Sequence, residues 1–168
     1  RSPHTEDFNY EVMCEDVLEY MNENNINKPI LLGHSLGGKV AMKFAFTYPE
    51  KTEKLIVADI SPRRYNTDFV QNLLQTLYKL PLANFEKRKE IDSVLSATFE
   101  DKGMRLFLLK NLYRNENKEF AWRFNIEVLL EKVSNIQEAD FVKGICKIPT
   151  HFIRGGNSNY ITDKDELI

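Results

Sequence analysis

Along the first third of the chain, apolar residues recur in two rhythms, and the switches between them lay out the elements. Phe8, Val12, Met13, Val17 and Met21 fall on one face of an amphipathic helix. Thr5 stands ahead of them as the expected N-cap, with Glu6 and Asp7 in the first turn, and the polar run Asn22 to Asn27 ends the helix. Pro29 then opens Ile30-Leu31-Leu32, apolar on both faces as a central parallel strand is. Past Gly33-His34-Ser35-Leu36-Gly37-Gly38, the residues Val40, Ala41, Phe44 and Ala45 restore helical spacing until Tyr48-Pro49-Glu50 stops it. Leu55 to Ile60 is a second apolar strand, carrying the carboxylate Asp59 near its end. Strand, helix and strand within about 30 residues make a βαβ unit, so the two strands are expected to be parallel neighbours.

From Pro62 to Gly144 the strand pattern disappears. Phe69, Leu73, Leu74 and Leu77 form one helical stripe, and Ile91, Val94, Leu95 and Phe99 a second. Leu106, Leu109, Leu112 and Tyr113 form a third, and Ile126, Leu129, Leu130 and Val133 a fourth. Phe120 to Phe124 is a short aromatic stretch around Trp122, read as core packing. Pro149 to Arg154 returns to strand character. The expected fold class is α/β: a parallel sheet core at 1–61, a helical lid insertion at 62–144, and a return to a core strand and the start of a helix at 145–168. Arg1-Ser2-Pro3-His4 reads as the middle of a loop and Asp165 to Ile168 as a helix just beginning, so the expectation is a piece of a longer protein.

Composition narrows the function. With 168 residues, 42% hydrophobic and 29% charged, the chain is long enough for a sizeable core. A net charge of -2 with mixed signs gives no electrostatic footprint for nucleic acid or an anionic membrane. No apolar run approaches the ~18 residues of a membrane span. Cys14 and Cys146 lie far apart without metal-ligand spacing, reading as reduced thiols of a cytoplasmic protein, or of a mitochondrial one whose presequence was removed.

The candidate chemistry is Gly33-His34-Ser35-Leu36-Gly37, a Gly-x-Ser-x-Gly nucleophile elbow. A strand before and a helix after would force Ser35 into a sharp turn at the top of the sheet, with Gly33 and Gly37 kept small to avoid collision and Gly38 beside them. The Leu36 backbone N–H, at the start of the helix, would then face an oxyanion. Two rival readings use the same residues. Gly33, Gly38 and Lys39 fit a phosphate-binding loop, but Val40 stands where that loop needs a hydroxyl for magnesium. A Gly-rich turn without chemistry is the other, and the flanking strand and helix weigh against it.

Gly33 to Lys39, Asp59-Ile60-Ser61-Pro62, Trp122-Arg123-Phe124-Asn125 and Gly155-Gly156-Asn157-Ser158 occur in an order that resembles the α/β-hydrolase fold. More narrowly, they resemble the bacterial YbfF-like esterases and their eukaryotic relatives, the abhydrolase-domain-containing protein 11 group and the yeast ethanol acetyltransferases. The resemblance covers nearly the whole chain. It implies a serine acyl hydrolase, a carboxylesterase or thioesterase acting on small or medium acyl esters or thioesters, with no metal and no dissociable cofactor. An alcohol acyltransferase using the same acyl-enzyme, and a non-catalytic ligand-binding homologue, are the alternatives.

A serine nucleophile needs a base, and the base an acid. Many hydrolases of this fold carry the acid after the strand that here spans His151 to Arg154, where this chain offers the neutral Asn157 and Ser158. Asp59, on the strand next to the nucleophile and 24 residues after Ser35, is the expected acid. Glu127 and Asp163 are its rivals, Asn157 and Ser158 are possible supports, and a purely capping Asp59, bonded through Ser61, is the bland alternative. None of His4, His34 and His151 suits the base, so the resemblance places the catalytic histidine after Ile168, and a second oxyanion donor before Arg1. Without the missing strands, Ile30 to Leu32 would present an unpaired apolar edge, and the 168 residues alone are expected to be inactive and poorly soluble.

Overall fold

The computed structural model describes residues 4–137 and 144–167. The loop entry at Arg1 to Pro3, the last residues assigned to the helical insertion (138–143) and Ile168 lie outside the described residues. The chain forms two compact units, one from 1–68 and 132–168, the other from 69–131.

The first unit is built on three parallel strands. β1 (Ile30–His34) and β5 (Thr150–Ile153) flank β2 (Lys54–Ala58), as the βαβ pattern foretells for β1 and β2. The register sets Gly33 opposite Val57 and His34 opposite Ala58, so both strands end level. Between them runs α2 (Leu36–Thr47), and α1 (Tyr10–Glu23) packs on α2. Tyr10, Cys14 and Met21 bury against Val40 and Phe44, while Ala41, Met42 and Ala45 bury against Leu55, Val57 and Ile60. Each fully buried Val, Leu, Ile, Phe or Met among these contributes roughly 1.5–3 kcal/mol. The apolar residues of α2 are therefore spread around the helix rather than held to one stripe.

One detail of this unit departs from the sequence reading and another follows it. Helix α1 starts later than expected: Asn9, not Thr5, is its cap, accepting from the Val12 N–H at 2.9 Å, while Thr5 bonds the Asp7 carbonyl and Phe8 precedes the helix. Both are good capping residues, and Asn9 wins because Tyr10 and Cys14 are the residues that bury. β1 is an edge strand among the described residues, with Leu32 and Ile30 68% and 51% exposed, as the expected unpaired apolar edge at Ile30 to Leu32 requires.

The second unit holds α3 (Asp68–Tyr78), α4 (Arg88–Ser96), α5 (Lys102–Leu109) and α6 (Ile126–Lys132), on the four expected stripes. It also contains an antiparallel hairpin, β3 (Leu112–Arg114) with β4 (Phe120–Trp122), which corrects the expectation of an all-helical stretch. Leu112 and Tyr113, assigned to the third helical stripe, belong to β3, since α5 stops at Leu109. Three-residue strands are too short to show an alternating pattern. The turn reveals itself only through Asn115, whose side chain accepts from the Glu119 N–H at 2.9 Å. Leu77, Ile91, Leu95, Leu108, Leu109, Leu112 and Phe120 form the core of this unit. Trp122 stacks on Phe124 at 5.4 Å and donates to the Leu77 carbonyl, in keeping with the packing role expected of these aromatics.

Candidate active site

At the C-terminal end of β1 the chain turns through Ser35 with φ 52° and ψ -121°, outside the regions open to most side chains. The turn is held at both ends: the Ser35 N–H donates to the Ala58 carbonyl at 3.1 Å, and the Ser35 carbonyl accepts from Gly38 N and Lys39 N at 2.9 and 3.1 Å. Gly33 is sterically obligatory, because a Cβ there would lie 2.2 Å from the Gly37 carbonyl oxygen. Gly37 is not, contrary to the collision expected from the motif: nothing lies within 4 Å of a Cβ placed on it. The second crowded position is Gly38, where a Cβ would meet Ile60 Cγ2 at 2.5 Å. The motif's last glycine faces open space, and its successor packs on the sheet. Ser35 is half-buried, and Leu36 opens α2, where backbone N–H groups have no partner within the helix.

Asp59 occupies the matching position on β2. Its N–H donates to the Ile153 carbonyl at 2.8 Å, extending the β2–β5 ladder by one residue, and its φ is 54°. Its carboxylate accepts from the Ser158 hydroxyl and, at 3.1 Å, from the Gly155 N–H. The Ser158 hydrogen bond lowers the Asp59 pKa most; partial burial raises it, and the Gly155 N–H and His34 lower it further, leaving it below the ordinary carboxylate value. Asp59 does not bond through Ser61, whose hydroxyl goes to Asp165 at 2.9 Å. Gly155 takes part in a way the sequence reading did not assign. A Cβ there would sit 3.2 Å from Asp59 Oδ1, so a larger residue would crowd the carboxylate that the Gly155 N–H binds. The Gly-Gly pair directly after a strand was the available signal.

Of the other candidates, Asn157 is exposed while Ser158 reaches Asp59. Asp163 is exposed and bonds Arg154 at 2.6 Å, and Glu127 lies in the first turn of α6, within the second unit. His34 ends β1 with its side chain exposed, His151 is exposed within β5, and His4 is exposed ahead of α1. Lys39, which a phosphate loop would aim at its ligand, is only 3% exposed and donates to the Arg63 carbonyl. Burial, aided by the Arg63 charge and opposed by Asp165, brings its pKa down to about 8. Cys14 is buried and Cys146 half-buried, both as free thiols. Among the described residues no helix is long and apolar enough to cross a membrane, and no three His, Cys, Asp or Glu side chains gather to hold a metal ion.

Comparison with known proteins bears on this geometry. The family described as alpha/beta hydrolase fold matches residues 1–143. A protein of Haemophilus influenzae named as a putative esterase/lipase is 37% identical over 94% of this chain and 54% of its own length. The sn-1-specific diacylglycerol lipase ABHD11 of Mus musculus is 32% identical over 95% of this chain and 53% of its own length. A solved structure described as a marine microorganism esterase superposes with a TM-score of 0.92 at 37% identity, covering 99% of this chain and 66% of that one. The chain thus spans about half the length of the two curated relatives.

Proposed function

This chain belongs to the α/β-hydrolase fold family, and from that premise we propose that it carries the nucleophile and the acid of a serine acyl hydrolase acting on small or medium acyl esters or thioesters. The observation that carries the reading is the pair of turned residues, Ser35 and Asp59, at the level ends of neighbouring parallel strands. On this reading the Ser35 hydroxyl attacks the acyl carbonyl. Its proton passes to a histidine supplied from outside these 168 residues, which then protonates the leaving alkoxide or thiolate. Asp59 orients that histidine and stabilises its charged form, for which a carboxylate held ionised by Ser158 and Gly155 is suited. The Leu36 N–H, with a second donor from elsewhere in the protein, receives the negative oxygen of the tetrahedral intermediate. Water then repeats the attack on the acyl-enzyme. The helical unit, inserted in the chain between β2 and β5, is the candidate lid of this reading, and a lid favours a compact substrate over a polymer.

The names of the relatives support an ester substrate, and their esterase or lipase labels agree with the chemistry that Ser35 and Asp59 can perform. The test is Ser35→Ala in the complete polypeptide, assayed with p-nitrophenyl acetate and butyrate. Turnover is expected to fall by roughly 10⁴-fold or more, the scale on which serine nucleophiles matter. Unchanged turnover contradicts the assignment.

A further inference from the structure

The Asp59 carboxylate is gripped by the segment that follows β5. Gly155 to Tyr160 follows the exposed strand β5, and its two donors to Asp59 are a backbone N–H and the hydroxyl of Ser158. That hydroxyl accepts from the Tyr160 N–H at 3.2 Å, which leaves its own proton to point at Asp59. The Tyr160 carbonyl in turn accepts from the Tyr65 hydroxyl, and the Tyr160 ring rests against Tyr65 with centroids 5.8 Å apart. Tyr65 is tied back to the strand that bears Asp59: its oxygen accepts from the Ser61 N–H at 2.9 Å, two residues beyond Asp59. Two cations lie against its ring, the Arg63 guanidinium 4.1 Å and the Lys39 ammonium 4.9 Å from its centroid. Asp165 fastens the same turn a second time, accepting from Ser61 Oγ at 2.9 Å and pairing with Arg63 at 3.0 Å while it caps Thr162.

We propose that Tyr65 is a positioning residue: its hydroxyl clamps the 155–160 segment to the turn after β2, and so aims the Ser158 hydroxyl and the Gly155 N–H at the Asp59 carboxylate. The clamp acts on Asp59 through Tyr160 and Ser158 and touches no substrate. Its consequence for turnover rests on the reading of Asp59 as the acid of the site; its effect on the Asp59 carboxylate does not.

Tyr65→Phe keeps the ring beside its two cations and removes only the hydroxyl. In the complete polypeptide, the Asp59 carboxyl carbon is followed by NMR through an acid titration of wild type, Tyr65→Phe, Ser158→Ala and the double variant. His34, which also acts electrostatically on Asp59, is retained throughout. The Asp59 midpoint is expected to rise by roughly one pH unit in either single variant, as a lost hydrogen bond to the ionised form requires. The double variant should rise by less than the sum of the two single variants, because both changes act in part through the Ser158 hydroxyl. In the ester assay, kcat should fall about tenfold with KM within about twofold, the pattern of a transition-state effect. Tyr160→Ala keeps the backbone carbonyl that Tyr65 binds and loses only the ring contact, so its midpoint should stay near the wild-type value, and a shift as large as that of Ser158→Ala there would assign the clamp to the ring contact and overturn the role of the hydroxyl. A midpoint unmoved in the folded Tyr65 variant, or full additivity in the double variant, overturns the clamp. A raised midpoint in a protein that turns over no ester sustains the clamp and rejects the hydrolase reading instead.

Discussion

Ser35 and Asp59 leave neighbouring parallel strands one residue beyond the His34–Ala58 pair, and both do so at positive φ, 52° and 54°. Neither is a glycine, and a non-glycine residue held there costs on the order of 1–3 kcal/mol. The cost is carried by bonds the strands provide: Ser35 N–H to the Ala58 carbonyl on one side, Asp59 N–H to the Ile153 carbonyl on the other. Two polar residues held at positive φ at one end of the sheet, with the Asp59 carboxylate gripped by Gly155 and Ser158, fit the roles proposed for them above.

Replacing Asp59 by Asn keeps the shape and removes the charge that would stabilise a histidinium. In the complete polypeptide, kcat on a short ester should drop by about 10⁴-fold, the size of the effect when a triad acid becomes an amide. A loss below tenfold would return the acid role to Asp163 or Glu127.

The glycines of the elbow separate cleanly by stability. Gly33→Ala forces a Cβ to within 2.2 Å of a backbone oxygen and should cost about 3 kcal/mol or more, read as a lowered urea midpoint. Gly37→Ala adds a methyl into open space within a helix, and should leave stability unchanged or raise it by up to ~1 kcal/mol.

These two substitutions also mark where the sequence was legible. The strand, elbow and helix could be read because apolar runs and helical periods flank Gly33 to Gly38, and the parallel pairing of β1 and β2 followed from the length of the connection. Which glycine is crowded could not be read, since that depends on how α2 leans on Ile60 and Val57. The β3–β4 hairpin was missed because two three-residue strands carry no period, and the helical stripe ending at Leu109 ran on by accident into Leu112. Ser158 was named as a possible support from its place after β5, yet the contacts of Tyr65 and Asp165, about 95 and 104 residues from their partners, had no local signature.

Lys39 gives a pH dependence with a definite sign. Its pKa is about 8 in the folded chain against 10.5 when exposed, so between those values the unfolded chain holds a proton that the folded chain lacks. Stability therefore rises with pH across that window, by up to ~3 kcal/mol, and is at its lowest for this group below pH 8. Cys14 and Tyr10, both pushed up to about 12 by burial, act in the opposite sense at alkaline pH. Comparing urea unfolding of wild type and Lys39→Met cancels their contribution. The difference in stability between the two should change in favour of the wild type as pH is raised from 8 to 10, and a flat difference would show that the amine is not held in a desolvated site.

The β1 edge predicts behaviour in solution. A polypeptide of these 168 residues expressed alone should self-associate through the strand bearing Ile30 and Leu32. Leu32→Lys, at a 68% exposed position, should reduce the light scattering of that polypeptide without lowering its unfolding midpoint. Unchanged scattering would locate the sticky surface elsewhere.

The most direct measurement is to treat the complete polypeptide with a fluorophosphonate and map the adduct by mass spectrometry. A single phosphonylated peptide is expected, modified at Ser35, with labelling abolished by Ser35→Ala and slowed by Asp59→Asn. An adduct on another residue, or none while a short ester is still hydrolysed, would contradict the assignment of Ser35 as the nucleophile.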